Sequence, residues 1–260
     1  MSQSKKLPIA GCIIAQNEQA CIRACVESLS FCEEIVVLDG GSTDDTIKIA
    51  RAAGARVEAR TFDGFVNQKN AALALTTQEW VLSLDADETL SPELQIAIVD
   101  LFSGTGPSAD GYEFHRRGWN MGRWISGCGW YPDEKLRLFR KAATEWQGHD
   151  VHEKAVVDGR VARIKKDILH YPYRSFSQQL TKTQRYAELG AKALFESGKR
   201  QAALRMVFSP PLRFFKAWVA RGGFRDGWAG FVLSCILAYG EFLRYACLWE
   251  MRRSAREESE

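Results

Sequence analysis

Several patterns that would classify a protein at once are missing from this chain of 260 residues. Its seven cysteines form no CxxC pair and no Cys/His spacing typical of a zinc site, so we expect reduced thiols in a cytosolic protein. Residues 1–6 are polar and lack the apolar core of a signal peptide. The longest strongly apolar run, residues 228–239, is shorter than the ~20 residues that span a bilayer. These absences argue against a secreted disulfide-rich protein and predict no membrane span.

Glycine-rich nucleotide-binding fingerprints are also missing. Neither GxGxxG nor GxxxxGK[ST] occurs, which argues against a Rossmann dehydrogenase and a P-loop enzyme. The net charge of +3 is too small to indicate nucleic-acid binding, and we expect no nucleic-acid partner. With 46% hydrophobic and 26% charged residues, the composition is that of a globular protein with a sizeable core.

Strands and helices alternate along the first third of the chain. Apolar runs predict strands at residues 7–15, 34–39, 56–59 and 80–84, and helical patterns lie between them. Such alternation predicts an α/β fold with a mainly parallel central sheet and right-handed crossovers. Later segments predict a helix opening at Ser91-Pro92, strands at residues 112–116 and 136–140, and a helix at residues 183–195.

Two carboxylates stand one residue apart where the fourth predicted strand ends. Because side chains alternate along a strand, Asp85 and Asp87 can point the same way. Such a pair is costly unless a cation or hydrogen bonds offset the repulsion, and hard divalent ions prefer oxygen ligands. Open α/β sheets bind ligands at the carboxyl ends of their strands. The motif therefore indicates a metal site at that edge, with a solvated acidic turn as the alternative.

The second predicted strand ends in a comparable turn, Asp39-Gly-Gly-Ser-Thr-Asp44. A carboxylate, glycines that permit close backbone approach and a following helix N-terminus all suit a nucleotide. Alone, this could be an ordinary strand-to-helix turn. Placed beside the acidic pair at the tips of parallel strands, it indicates a nucleotide-diphosphate site.

Over residues 8 to about 175 the chain resembles the family 2 glycosyltransferases of the GT-A fold. In that family an Asn-Glu pair such as Asn17-Glu18 follows the first strand. The second strand ends in an Asp-Gly-Ser-x-Asp turn, here with one extra glycine, and a DxD motif follows a later strand. The resemblance implies a GT-A nucleotide-sugar-binding fold.

The resemblance also implies a donor site and a metal. Asp39 would contact the nucleotide base, and Lys69 would reach the base and diphosphate, although a solvated helix lysine is the alternative. Asp87 would bind Mg²⁺ or Mn²⁺ near Asp85, and His170 would complete the metal shell unless it is a structural histidine. The predicted donor-binding residues are Ala15, Asn17, Glu18, Asp39, Ser42, Lys69, Asn70, Asp85 and Ala86.

On the acceptor side, the Arg-Leu-Phe-Arg strand, a His-Glu pair and a later histidine match a subfamily pattern. Aligning on that strand puts Glu153 at the position of the catalytic base, which must lie near the acceptor hydroxyl. Asp133 is the rival for this role. His152 is predicted to orient the acidic group rather than to act as the base.

The C-terminal part changes character near residue 199. Residues 199–253 contain ten Lys/Arg and three Asp/Glu, mixed with aromatic side chains. This composition predicts an interfacial helical segment on anionic lipid, or an appendage packed on the catalytic domain or on a second copy of the chain. We therefore expect a catalytic domain at residues 1–198 and a helical membrane-associating or oligomerising segment at 199–260.

The strongest resemblance within the family is to bacterial lipopolysaccharide core β-1,4-glucosyltransferases. It implies inverting, metal-dependent transfer from a UDP-sugar, expected to be UDP-glucose, to a lipid-linked oligosaccharide at the inner face of the cytoplasmic membrane. One alternative is transfer to a polyisoprenyl phosphate or another polysaccharide intermediate. Alternatives of a different class are a glycoside hydrolase and a non-catalytic sugar-nucleotide-binding protein.

Overall fold

The alternation of strands and helices read from the sequence is present in the computed structural model, which describes residues 6–148, 153–198 and 202–257. The strands are β1 (Leu7–Ala15), β2 (Cys32–Asp39), β3 (Arg56–Ala59), β4 (Trp80–Asp85), β5 (Glu88–Leu90), β6 (Gly111–Asn120), β7 (Arg123–Trp124), β8 (Asp133–Arg140), β9 (Thr144–Gln147), β10 (Lys154–Val157) and β11 (Val161–His170). The helices are α1 (Ile22–Ser28), α2 (Thr46–Ala52), α3 (Phe65–Leu75), α4 (Pro92–Ser103), α5 (Phe176–Glu196), α6 (Ala202–Phe215) and α7 (Gly227–Glu257).

The central sheet has the order β3-β2-β1-β4-β8-β6-β11-β5, and β7 pairs with β6 beside it. The first four strands are parallel, because each is joined to the next along the chain by a helical crossover. β8 runs antiparallel to both β4 and β6, and β5 runs antiparallel to β11. The predicted α/β fold is confirmed, with the parallel strands on one side of a mixed sheet.

The register of β1, β2 and β4 places their carboxyl ends, which carry the predicted motifs, at the same edge of the sheet. Ala15 of β1 pairs with Asp39 of β2, and Ile14 of β1 pairs with Asp85 of β4. Alternate residues of β1 enter two apolar clusters, one on each face of the sheet. Burial on both faces explains why these strands read as continuous apolar runs.

Helix α4 begins as the sequence predicts. The Ser91 hydroxyl accepts a hydrogen bond from the backbone N–H of Leu94 at 3.2 Å, and Pro92 occupies the first turn. Leu94 and Ile98 are fully buried on the face that packs against the sheet. The cap therefore fixes the residue at which α4 begins, shortly after β5 ends at Leu90.

The chain divides into two compact units. One comprises residues 6–116 and Asp133–His170 and contains nearly all of the sheet; the other comprises Arg117–Pro132 and residues 171–257. The division differs from the one predicted at residue 199, because α5 belongs to the helical unit. Ala191 of α5 is buried in one apolar cluster with Tyr245 and Leu248 of α7.

Helix α7 is the longest helix of the helical unit. Among the described residues, the segment Gly223–Glu257 is the one that is long and apolar enough to cross a membrane by length and composition. The sequence predicts no such segment, because the strongly apolar run ends at residue 239 and Glu241 and Arg244 follow it. Core helices of soluble proteins meet the same criterion, so this is a weak indication. In the most apolar 18-residue stretch of this segment, 28% is buried.

Candidate active site

Asp85, the last residue of β4, lies between two buried cations. Its Oδ1 is 2.8 Å from Nζ of Lys69, and its Oδ2 is 2.6 Å from Nη2 of Arg137. Burial raises the pKa of Asp85, but Arg137 and Lys69 outweigh it and hold the pKa well below its ordinary value. Asp85 is therefore an anion at neutral pH, and the protein itself offsets its charge.

Glu88, the first residue of β5, was not predicted as a site residue. Its side chain is fully buried, and Oε1 is 3.1 Å from Nη1 of Arg116 and 2.9 Å from Nη2 of Arg137. Its Oε2 accepts a hydrogen bond from the backbone N–H of Asp85 at 3.1 Å. Glu88 thus closes the turn that carries the acidic pair and fixes the guanidinium that neutralises Asp85.

Asp133 lies at the far end of this charged network, at the start of β8. Its Oδ2 is 2.6 Å from Nη2 of Arg116, and its Oδ1 is 3.1 Å from Nζ of Lys135. Burial raises the pKa of Asp133, but Arg116 and Lys135 together hold it below its ordinary value. Because cations engage both oxygens, this carboxylate is poorly placed to accept a proton.

Glu153 meets the donor side of the site through Lys69. Its Oε1 is 3.0 Å from the same Nζ that contacts Asp85, and that ammonium lies 4.4 Å from the ring centroid of Trp146. Within the described residues, the other Glu153 oxygen makes no hydrogen bond or ion pair. The structure therefore brings together residues predicted separately for donor and acceptor. His152 lies outside the described residues.

Asp87 and His170 form a separate pair at the sheet edge. Oδ2 of Asp87 is 3.4 Å from Nε2 of His170, and both side chains are partly exposed. His170 ends β11, opposite Glu88 of β5. Asp85 faces the cations instead, and no group of three or more His, Cys, Asp or Glu within the described ranges could hold a metal.

A carboxylate and an imidazole nevertheless fit a divalent ion of the predicted kind. Mg²⁺ in phosphate-binding sites commonly takes one or two protein ligands and completes its shell with phosphate oxygens and water. Asp87 and His170 supply two such ligands and leave the remaining positions open to a diphosphate.

Asp39 is buried inside its own turn, with 1% of its surface exposed. Its Oδ2 accepts hydrogen bonds from the backbone N–H groups of Gly41 and Ser42, and the Ser42 hydroxyl donates to Oδ1. These three hydrogen bonds take up most of the about four that a carboxylate can accept, and the contact of Asp39 with a nucleotide base stays a prediction. The primary role visible here is to shape the loop.

The predicted Asn17-Glu18 pair ties the first loop to the second. The backbone N–H of Asn17 donates to Oγ of Ser42 at 2.9 Å, and that of Glu18 donates to Oγ1 of Thr46 at 2.8 Å. The carbonyl of Ala15 accepts from the N–H of Gly40 at 2.8 Å. These contacts hold the carboxyl ends of β1 and β2 in one arrangement.

Asn70 and Ala86 have local roles beside the charged centre. The amide of Asn70 both donates to and accepts from the backbone of Trp146 at 2.9 Å, which fixes that ring beside Lys69. Ala86 is buried between the two acidic residues. Gln68 carries no motif signal. It is buried beside Lys69, and neither of its amide atoms has a hydrogen-bond partner among the described residues.

Comparison with known proteins matches residues 12–152, more than half of the chain, to the family model described as glycosyl transferase family 2. The chain is 31% identical to the lipopolysaccharide core biosynthesis glycosyltransferase LpsC of Rhizobium meliloti (strain 1021), covering 94% of this chain and 93% of that protein. It is 33% identical to an uncharacterized glycosyltransferase of Rickettsia felis, covering 93% and 89%.

Solved structures of glycosyltransferases are also similar to this chain. Glucosyl-3-phosphoglycerate synthase from Mycobacterium tuberculosis, in complex with Mn²⁺, UDP and glucosyl-3-phosphoglycerate, is 20% identical, with a TM-score of 0.49 over 74% of this chain and 81% of that one. Staphylococcus aureus TarS in complex with UDP-GlcNAc is 13% identical, with a TM-score of 0.46 over 95% and 92%. Both TM-scores lie below 0.5, so neither complex bears on the ligands of this chain.

Proposed function

The chain belongs to glycosyl transferase family 2, and we propose that it transfers glucose from UDP-glucose to a lipid-linked oligosaccharide of the lipopolysaccharide inner core. Its fold is the GT-A type expected from the resemblance, and it is an inverting glycosyltransferase. The observation that supports the site assignment best is the position of Lys69, whose ammonium joins Asp85 on the donor side to Glu153 on the acceptor side.

In the proposed reaction the acceptor hydroxyl gives its proton to Glu153 as its oxygen attacks the anomeric carbon of the sugar. The bond from that carbon to the diphosphate oxygen breaks, and the nucleoside diphosphate leaves with the bonding electrons. The Glu153 oxygen that has no partner among the described residues supports this role, and the two cations on Asp133 argue against the rival assignment. Glu153 later releases the proton to solvent.

Lys69 and Arg137 are the cations beside Asp85 in the proposed donor site. Asp85 and Glu88 hold both in place, so these groups are already oriented before an anionic diphosphate arrives. Asp87 and His170 are the residues that would hold a divalent ion. When bound, such an ion would neutralise charge on the leaving diphosphate.

The acceptor is proposed from the relative in Rhizobium meliloti, whose name places it in lipopolysaccharide core biosynthesis. An acceptor carried on a lipid puts the enzyme at the inner face of the cytoplasmic membrane, in peripheral contact with anionic lipid. Transfer to a polyisoprenyl phosphate or another polysaccharide intermediate is the alternative within the same class. Family membership favours a transferase over the glycoside hydrolase and over a non-catalytic binding protein.

The test is a panel of nucleotide-sugars assayed for slow donor hydrolysis with Mn²⁺ and with a chelator. We expect UDP-glucose to be hydrolysed fastest, with activity lost on chelation. Asp87→Ala should lose the metal-dependent activity, whereas Asp100→Ala, an exposed acidic residue on α4, should retain it. Hydrolysis that is equal with and without metal would refute the metal assignment. A preference for another nucleotide-sugar would refute the donor.

A further inference from the structure

The outward face of α6 carries a continuous apolar stripe. Its members follow one another at intervals of three or four residues, which places them on one side of a helix, and they continue into the π-helical turn Lys216–Ala220. Each is more than half exposed, from 58% at Val219 to 68% at Leu212. The stripe consists of Leu204, Phe208, Leu212, Phe215 and Val219.

The opposite face of the same segment already packs within the helical unit. The ring centroids of Phe214 and Trp218 lie 5.6 and 5.5 Å from that of Phe231 on α7. Ala217 is buried, and Met206 packs against the cluster formed by α5 and α7. The inward contacts of α6 are therefore complete without the stripe, and its exposure is a separate feature of the surface.

The charged residues of the segment that carries the stripe are all basic up to residue 225. Residues 202–225 contain no Asp or Glu. The next acidic residue, Asp226, is buried and accepts hydrogen bonds from the backbone N–H groups of Ser126 and Gly127. The basic residues of this segment are Arg205, Arg213, Lys216, Arg221 and Arg225.

We propose that the stripe and the exposed basic residues Lys216, Arg221 and Arg225, together the α6 face, dock on an anionic lipid surface with the helix lying in the plane of the interface. An amphipathic helix with apolar side chains at the acyl boundary and Lys or Arg at the headgroups binds such surfaces. Trp228, in the first turn of α7, is 75% exposed and stacks on Phe231. It adds an aromatic ring of the kind enriched at headgroup level.

A second copy of the chain fits this face less well. A twofold contact would place the α6 face against itself, and basic residues would then meet basic residues of a segment that itself contains no Asp or Glu. Lipid phosphates complement the charge. This docking rests on the proposed function in one respect, because a lipid-anchored acceptor is what would bring the enzyme to a membrane.

The experiment is cosedimentation of the full chain with phosphatidylcholine vesicles that do or do not contain phosphatidylglycerol. We expect binding to the anionic vesicles and little binding to the neutral ones. Leu212→Glu should lower the partition coefficient at least about tenfold, because it puts a charge where an apolar side chain enters the interface. Lys216→Gln should lower it about fivefold, and added salt should weaken binding further.

The matched control is Ile96→Glu on α4 of the other unit, a residue 61% exposed, which should bind vesicles as the unmodified chain does. The thermal unfolding transition of each variant checks that it is folded. Unchanged binding of Leu212→Glu, equal binding to neutral vesicles, or a dimer that this substitution dissociates without any vesicle binding would overturn the proposal. Donor hydrolysis in lipid-free solution is measured separately, so an error in the proposed function would leave the vesicle result intact.

Discussion

Lys69 is a buried cation with two carboxylate partners. A substitution at any of these three residues should therefore change the stability of the unit. Its side chain is 3% exposed, and it lies 2.8 Å from Asp85 and 3.0 Å from Glu153. Removing one member of a buried charged group leaves the others without full compensation. The donor site and the stability of its unit therefore depend on the same side chain.

Lys69→Met should lower the free energy of unfolding by about 3 kcal/mol. This is the low end of the range for breaking a buried ion pair, because Asp85 still pairs with Arg137 in the variant. Urea denaturation measures this. Lys48→Met, at a lysine side chain 83% exposed, should change the free energy by less than about 0.5 kcal/mol. Equal effects of the two substitutions would contradict the assigned role of Lys69.

The lowered pKa of Asp85 predicts that the free energy of unfolding depends on pH. Because its folded-state pKa lies below the unfolded value of about 3.9, the ionised carboxylate stabilises the native state above that pH. This contribution is lost as the pH falls through about 4 toward the folded-state pKa. Asp85→Asn should therefore be less stable than the unmodified chain at pH 7, and the difference should shrink in acid. Urea denaturation from pH 7 to pH 3 measures it; a constant difference would contradict the pKa assignment.

Sequence reasoning reached some site residues and missed others for a physical reason. Asp85 and Asp87 carry a signal because they stand one residue apart where a strand ends, and Glu153 was selected from the His-Glu pair matched by resemblance. Glu88 has no such signal. Arg137 lies in the Arg-Leu-Phe-Arg strand, but its pairing with Asp85 and Glu88 is recognisable only once the fold brings these carboxylates beside it. The unpartnered amide of Gln68 is likewise visible only in three dimensions.

At the scale of elements, the start of α4 follows local chemistry closely. The cap of α4 depends on one hydroxyl and one proline, both visible in the sequence. The parallel strands were also predictable, because a helical crossover after each strand leaves little choice of direction. The antiparallel position of β8 between β4 and β6 was not, since it depends on pairing between distant segments.

Ser91→Ala tests the cap. Losing the hydrogen bond to the N–H of Leu94 should cost about 1 kcal/mol of folding free energy. The control is Ser103→Ala at the exposed last residue of α4, which should leave the urea midpoint unchanged. If both substitutions gave the same midpoint, the cap would contribute nothing.

At the scale of the whole molecule, the proposed catalytic site and the proposed lipid-binding surface belong to different units. The charged site lies in the unit that contains most of the sheet, and the α6 face lies in the helical unit. The predicted boundary at residue 199 followed a change in composition, but α5 joins the helical unit because packing on α7 determines the division. Composition detects the surface character of a segment, whereas its packing partners emerge only from the fold.

The measurement that tests the central claim most directly compares turnover and UDP affinity in Glu153→Gln and Asp133→Asn. If Glu153 removes the acceptor proton, its substitution should lower kcat at least about 100-fold while calorimetry shows unchanged UDP affinity, because the amide oxygen still faces Lys69. Asp133→Asn should keep far more turnover, since Arg116 and Lys135 already engage that carboxylate. Full turnover by Glu153→Gln, with the loss confined to Asp133→Asn, would contradict the account.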